Sequence, residues 1–180
     1  MKKYIYIILF FLLILFFLLA AIFVGVFTGS NSDKTTSQSQ ANSPQSTLAS
    51  AYQDIQWGAN VQKHLTVLKT DFDNVSSAAN NSDYAALAIN AQYIINDTQK
   101  AIEENDQYKV SPKLQEPQKE WRLALKDYNS AGQFLLQGAN EAKRGSSGFE
   151  NFQKAATLRN SGIVHLKKAA ESLGINVSLN

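Results

Sequence analysis

A run of 24 residues without a charged side chain, residues 4–27, constrains this chain more than any other feature of its sequence. As a helix the run would be ~36 Å long, which exceeds the ~30 Å hydrocarbon core of a bilayer. Backbone groups in lipid must hydrogen bond within their own segment, and this favours a helix. Lys2 and Lys3 precede the run, and positive flanks stay on the cytoplasmic side. We therefore predict a transmembrane anchor over residues 1–28, which contacts the lipid bilayer through residues 4–27. The N-terminus would be cytoplasmic and the rest of the chain outside.

A cleaved signal peptide is the alternative, because the small residues at 28–30 follow the apolar run. Hydrophobic regions of signal peptides usually contain about 7 to 15 residues, so the length of this run favours a retained anchor. Both interpretations place the remainder of the chain outside the cytoplasm.

The segment from residue 29 to residue 46 is polar and consists mainly of Ser, Thr, Gln and Asn. It cannot bury enough apolar surface to offset the entropy of ordering it, so we predict a disordered, flexible linker. As a random coil it would reach ~24 Å. A plain spacer and an O-glycosylated stalk both fit this composition.

The remaining residues, 47–180, are numerous enough for one folded domain with its own core. The chain has no cysteine, which excludes disulfides, thiolate metal sites and a cysteine-linked lipid anchor. After residue 50, fourteen basic residues balance fourteen acidic ones. A nucleic-acid-binding domain would normally carry a basic excess, so we expect no nucleic-acid partner.

Apolar residues recur at spacings of three and four along four segments of this domain, and this pattern predicts amphipathic helices. The predicted helices cover about residues 48–79, 83–105, 112–143 and 148–173. The residues predicted to face the core include Tyr52, Ile55, Trp57, Val61, Leu68 and Val75 in the first helix, Ala88, Ala91 and Thr98 in the second, Leu114, Trp121, Leu125 and Tyr128 in the third, and Phe149, Phe152 and Ala170 in the fourth.

Local signals mark where three of these helices begin. Ser82 is a suitable N-cap for the second helix. Ser111 followed by Pro112 marks the start of the third, because proline loses no hydrogen bond at the first helical position. Ser147 and Glu150 match the capping box and predict the start of the fourth helix.

Four amphipathic helices joined by short loops favour an antiparallel up-and-down four-helix bundle. The expected fold class is therefore all-α, with an N-terminal transmembrane helix, a disordered linker and this bundle. The first and third helices would run parallel, and each carries a tryptophan about nine residues from its start. We therefore expect Trp57 and Trp121 in one layer, with His165 at a similar height.

Two segments, YKVSPKLQEPQKEWRLALKDYNSAGQFLLQGA (residues 108–139) and NSGIVHLKKA (residues 160–169), resemble uncharacterised membrane-anchored helical-bundle envelope proteins of methanogenic archaea. Those proteins combine a hydrophobic N-terminal segment, a polar spacer and a helical domain in which VSP starts one helix. The resemblance covers the last two helices and implies an archaeal cell-envelope location. It implies no reaction and no binding residues.

Few residues point to catalysis or metal binding. His64 and His165 lie outside any HExxH or Glu-x-x-His pattern, so we expect two partly exposed bundle residues. The carboxylates at 71–75 lack the glycine and distal glutamate of a calcium loop and are predicted to lie on a solvated helix face. Those at 103–106 predict a polar helix end, with a weak cation site as the alternative. No nucleophile motif or phosphate-binding loop is present, and we predict no enzyme activity, no metal and no cofactor.

Aromatic side chains are candidates for a ligand site, because bundles bind small ligands between their helices. The candidates are Trp57, Trp121, Tyr128 and Tyr108, together with His165. The alternative is that these side chains fill the core.

Four asparagines, Asn74, Asn80, Asn96 and Asn176, begin Asn-x-Ser/Thr sequons. All four are candidates for N-glycosylation if the domain lies outside the cytoplasm, and we expect it at Asn80 and Asn176, because both lie at predicted helix ends.

Taken together, these features predict a non-enzymatic envelope protein whose external bundle binds a protein partner or a component of the cell envelope. The alternative is a ligand-sensing bundle that signals through a separate membrane partner, since no second hydrophobic segment follows the first.

Overall fold

The computed structural model describes residues 44–173, which form four α-helices and contain no strand. The helices are α1 (Pro44–Asn80), α2 (Tyr84–Asn105), α3 (Pro112–Lys143) and α4 (Phe149–Ser172). The prediction of an all-α helical bundle is confirmed for these residues. The predicted anchor, residues 29–43 of the predicted linker and Asn176 lie outside them. Residues 44–46 were predicted to belong to the disordered linker, and this is wrong because they form the start of α1. No helix within residues 44–173 is long and apolar enough to cross a membrane.

The start of α2 lies one residue later than the sequence suggests. Asp83, not Ser82, is the N-cap, and its Oδ1 accepts a hydrogen bond of 2.9 Å from the amide of Ala86. Ser82 instead has a positive φ of 53°, so it forms the turn between the two helices. An aspartate at this position also favours the helix electrostatically, because its charge faces the positive end of the helix dipole.

Helix α3 begins as predicted, with Ser111 at the N-cap and Pro112 at the first helical position. The side chain of Ser111 does not cap its own helix. Asp54 of α1 accepts hydrogen bonds from the Ser111 amide at 2.7 Å and from its hydroxyl at 2.6 Å. A buried carboxylate from another helix therefore satisfies the start of α3 and joins the two helices.

The predicted capping box at the start of α4 is wrong. Gly148 is the N-cap, in the left-handed conformation at φ 61°, and no side-chain cap bond forms. A Cβ on Gly148 would lie 2.3 Å from the carbonyl oxygen of Gly138 in α3. The close approach of these two glycines therefore sets how the chain enters α4, and a capping box takes no part in it.

Contacts between successive helices join the end of one to the beginning of the next. At one end of α1, Trp57 bonds Asn105, the last residue of α2. At the other end Ala78 packs in one cluster with Leu87, near the start of α2, and with Ala139 of α3. Helix α3 packs against both α2 and α4.

The two remaining interfaces involve α4. A Cβ on Gly162 of α4 would lie 2.4 Å from the ring of Tyr128 in α3. A Cβ on Gly138 of α3 would lie 2.7 Å from the ring of Phe152 in α4. Arg159 of α4 stacks over the ring of Phe72 in α1, with its guanidinium carbon 5.5 Å from the ring centre. Together with the bonds of Ser111 to Asp54, these contacts show that α1 and α3 each touch all three other helices.

Most predicted core positions are buried or half-buried, but three of the large side chains are exposed. Tyr52, Ile55 and Phe149 are exposed, Phe149 by 60%. The first two lie on the side of α1 opposite the buried residue Trp57, and Phe149 is the first residue of α4. A spacing of three residues alone therefore does not ensure burial.

Candidate functional site

The aromatic residues predicted to line a ligand pocket mostly fill the core. Trp121 is 1% exposed, Tyr128 5% and Trp57 6%, while Tyr108 is half-buried. Burial raises the pKa of Tyr128. The indole Nε1 of Trp57 donates a 2.9 Å hydrogen bond to Oδ1 of Asn105. Little of the surface of Trp57, Trp121 or Tyr128 is therefore exposed to a ligand.

The structure does not bring the two tryptophans into one layer. The bonds from Ser111 to Asp54 pair α1 with α3 residues 57 positions later in the chain. By this register Trp57 lies level with about residue 114, seven residues or ~10 Å along the helix from Trp121. His165 is level with Trp121, since it contacts the adjacent Glu120.

His165 lies between two carboxylates of α3. Its Nδ1 is 2.6 Å from Oε2 of Glu120, and its Nε2 is 3.8 Å from Oδ2 of Asp127. Glu120 is buried, and His165 and Asp127 are half-buried. The sequence did not show this cluster, because Glu120 and Asp127 are separated by two turns and their partner comes from another helix.

His64 was expected to be partly exposed, but it is 2% exposed and this prediction is wrong. Its Nε2 lies 2.9 Å from Oε2 of Glu104, at the end of α2. Asn60, one turn earlier on α1, and Lys63, the preceding residue, donate to the same carboxylate. The hydrogen bond with His64, followed by that from Lys63, lowers the pKa of Glu104 to about 2.

The acidic end of α2 is polar, as predicted, and it also contacts another helix through Asp106. The guanidinium of Arg122 in α3 donates to both carboxylate oxygens of Asp106, at 2.8 and 2.9 Å. This bond lowers the pKa of Asp106. The end of α2 is thereby tied to α1 through Glu104 and to α3 through Asp106.

Asp71 was predicted to lie on a solvated helix face, and this is wrong. It is 7% exposed, and its Oδ2 has no hydrogen-bond partner among the described residues. Burial, and then the charge and hydrogen bond of Asp97 in α2, raise the pKa of Asp71 to about 7. Asp71 therefore holds a proton more tightly than an exposed aspartate does. Residues 44–173 contain no group of three or more His, Asp and Glu arranged to bind a metal ion.

A surface groove of about 840 Å³ runs along α4 beside Phe134 of α3. Its lining includes Lys154, whose ammonium lies 5.5 Å from the centre of the Phe134 ring. None of the five residues predicted to bind a ligand lines this groove.

An uncharged strip of helix surface, which we call the α2 outer face, carries exposed apolar side chains. It consists of Ala85, Ile89, Gln92, Tyr93 and Asn96, all exposed and all within about 100° around the helix. Ile89 is 56% and Tyr93 51% exposed, one turn apart. Adjacent exposed apolar side chains of this size are typical of surfaces that contact another molecule. The heptad-like spacing of α2 predicts its buried face, but does not reveal that the opposite face is also partly apolar.

The three sequon asparagines within the described residues, Asn74, Asn80 and Asn96, are all exposed. They lie on α1, at its last residue and on α2, respectively.

No protein-family description, curated protein or solved structure matches the chain.

Proposed function

We propose that this protein is a non-enzymatic, single-pass membrane protein whose helical domain lies outside the cytoplasm and binds a protein partner or a cell-envelope component. The apolar run at residues 4–27 would be the anchor, with the N-terminus in the cytoplasm. The resemblance of residues 108–139 to anchored envelope proteins of methanogenic archaea supports the same location.

The proposed architecture is an antiparallel up-and-down four-helix bundle. Loops of three, six and five residues separate the helices, which is short enough to make successive helices neighbours. The contacts between successive helices, and the contact of Arg159 with Phe72 that joins α4 to α1, agree with this topology.

The α2 outer face is the observation that carries the proposed binding function. Ile89 and Tyr93 are large apolar side chains at the surface, whereas the aromatic residues suited to a small ligand are packed inside. Tyrosine is also one of the residues enriched where proteins contact their partners. Binding through an exposed helix face therefore fits the structure better than binding in an internal pocket.

Photo-crosslinking in intact cells tests this proposal. A photoreactive amino acid replaces Gln92 on the α2 outer face in the full chain, and Gln153, which is exposed on α4, in a matched control. We expect one specific crosslinked product from position 92 and its loss in the Ile89→Ser/Tyr93→Ser background. No product at position 92, or equal products from both positions, would contradict binding through this face.

A further inference from the structure

Three sequons lie within the described residues. They differ in whether the Ser or Thr two positions after the asparagine is accessible. An oligosaccharide transferase must reach the asparagine amide and the Ser or Thr hydroxyl of the sequon together. Within an α-helix, residues two positions apart point ~200° away from each other. A sequon inside a folded helix therefore presents its two groups on opposite sides.

The sequon of Asn96 is blocked at its hydroxyl. Thr98 is 0% exposed, and its Oγ1 donates to the Ile94 carbonyl at 2.6 Å. The same oxygen accepts a 2.9 Å hydrogen bond from Asn129 of α3. Exposing this hydroxyl would require α2 to separate from α3.

The sequon of Asn74 is also locked into its helix. Val75, its middle residue, is buried in the core, and the hydroxyl of Ser76 donates to the Phe72 carbonyl at 2.8 Å. The helix would have to unwind, with loss of the Val75 contacts, before the sequon could open.

The sequon of Asn80 lies where α1 ends. Asn80 is the last residue of the helix, and Asn81 and Ser82 form the turn that follows. All three are exposed, and Ser82 has left the helix with a φ of 53°. Within residues 44–173 no hydrogen bond engages the side chains of Asn80 or Ser82, so both groups are accessible at once.

We propose that Asn80 is an N-glycosylation site, and that Asn74 and Asn96 are not modified in the folded chain. The proposal rests on the proposed location outside the cytoplasm. In the reaction Nδ2 of Asn80 forms a bond to the anomeric carbon of an oligosaccharide carried on a lipid phosphate. The bond from that carbon to the phosphate oxygen breaks, the phosphate leaves with the electron pair, and the amide proton passes to a base of the transferase.

The experiment expresses the full chain in a host whose membrane transferase modifies Asn-x-Ser/Thr sequons outside the cytoplasm. All variants carry Asn176→Gln, and intact mass and glycopeptide mapping report the glycan. We expect one glycan, which Asn80→Gln and Ser82→Ala both remove. The matched variants Asn74→Gln and Asn96→Gln should keep it.

A reporter sequon separates this inference from the proposed location. Thr35→Asn turns residues 35–37 into Asn-Thr-Ser, in the segment before the described domain. If the reporter carries a glycan and Asn80 does not, the inference about Asn80 is overturned and the location stands. If neither is modified, both are overturned. If Asn74 or Asn96 carries a glycan to the same extent as Asn80, the accessibility of the Ser or Thr hydroxyl does not determine which sequon is modified, and the inference is overturned.

Discussion

The carboxyl group of Asp71 lies at the interface of α1 and α2, where it faces Asp97. Two carboxylates in contact cannot both remain charged at low cost, and burial adds to the penalty on the charged form. A proton on Asp71 removes both costs. The interface is therefore best satisfied while Asp71 is protonated.

This arrangement predicts that stability decreases as pH rises. The pKa of Asp71 is raised from 3.8 to about 7 in the folded chain, so the native state binds more protons than the unfolded state between these values. Stability from this proton is full below about pH 4 and is lost as pH rises through 7. Asp71→Asn should therefore be more stable than the wild type at pH 8.5, by roughly 2–4 kcal/mol, and similar to it at pH 4.

Thermal unfolding of the full chain in detergent, followed by circular dichroism, measures this effect as a rise of about 5–10 °C at pH 8.5. Asp73→Asn is the matched control, because Asp73 is exposed on the same helix and pairs with Lys69. If Asp71→Asn shows the same pH dependence as the wild type, Asp71 does not hold the proton.

Glu104 predicts the opposite pH dependence. Its pKa is lowered to about 2, first by His64 and then by Lys63, so its contribution is present above pH 4.5 and is lost as pH falls through 2. Glu104→Gln should cost roughly 1–3 kcal/mol at pH 7, because His64 and Lys63 lose a charged acceptor. The deficit should shrink as pH is lowered from 5 toward 2.

Urea unfolding across this pH range tests the prediction. Glu103→Gln is the control, since that neighbouring side chain is exposed and its hydrogen bond within residues 44–173 is to Gln99 on its own helix. A Glu104→Gln deficit that does not change with pH would contradict the charged contact.

At this scale the sequence was a poor guide to which polar residues are buried. Asp71 and His64 lie at the edges of the apolar stripe of α1, where a small rotation decides between solvent and a neighbouring helix. Their partners, Asp97 and Glu104, come from another helix. Spacing within one helix carries no information about such a pairing.

At the scale of whole helices, two glycines inside helices give a matched pair of substitutions. Gly162 lets α4 approach α3, because a Cβ there would lie 2.4 Å from the Tyr128 ring. Gly58 of α1 has no atom within 4 Å of its Cβ position. Gly162→Ala should therefore destabilise the bundle by roughly 1–3 kcal/mol, because the buried ring must move.

Gly58→Ala should stabilise it by about 0.5–1 kcal/mol, because alanine favours the helix and meets no clash. Melting temperatures of the two full-length variants would show the contrast. If both substitutions change the melting temperature equally and in the same direction, helix propensity determines both effects and the close approach of α4 to α3 does not.

The helices themselves were largely predictable because their signals are local. Pro112 marks the start of α3, and the apolar spacing of α2 identifies its buried alanines correctly. The start of α4 could not be predicted in this way. The conformation of Gly148 depends on contact with Gly138, ten residues earlier and in another helix.

For the whole molecule, the short loops made the contacts between successive helices predictable. The register between α1 and α3, in contrast, could not be predicted. The bonds of Ser111 to Asp54 fix that register. The prediction had instead set the register by placing Trp57 and Trp121 at equal distances from the starts of their helices. This failed because α1 begins several residues before its first apolar position. The α2 outer face was likewise missed, since Ile89 and Tyr93 lie opposite the apolar stripe that identifies α2.

The membrane anchor is a prediction about the whole molecule, and it can be tested without disturbing the bundle. A helix over residues 4–27 would keep the full chain in the membrane fraction after washing with alkaline carbonate. Leu13→Arg combined with Leu18→Arg should prevent this, since each arginine near the centre of a membrane helix costs about 2.5–3.5 kcal/mol. Release of a wild-type chain that begins near Asn31 would instead identify residues 1–30 as a cleaved signal peptide. The domain would still be outside the cytoplasm, but it would bind its partner as a free protein.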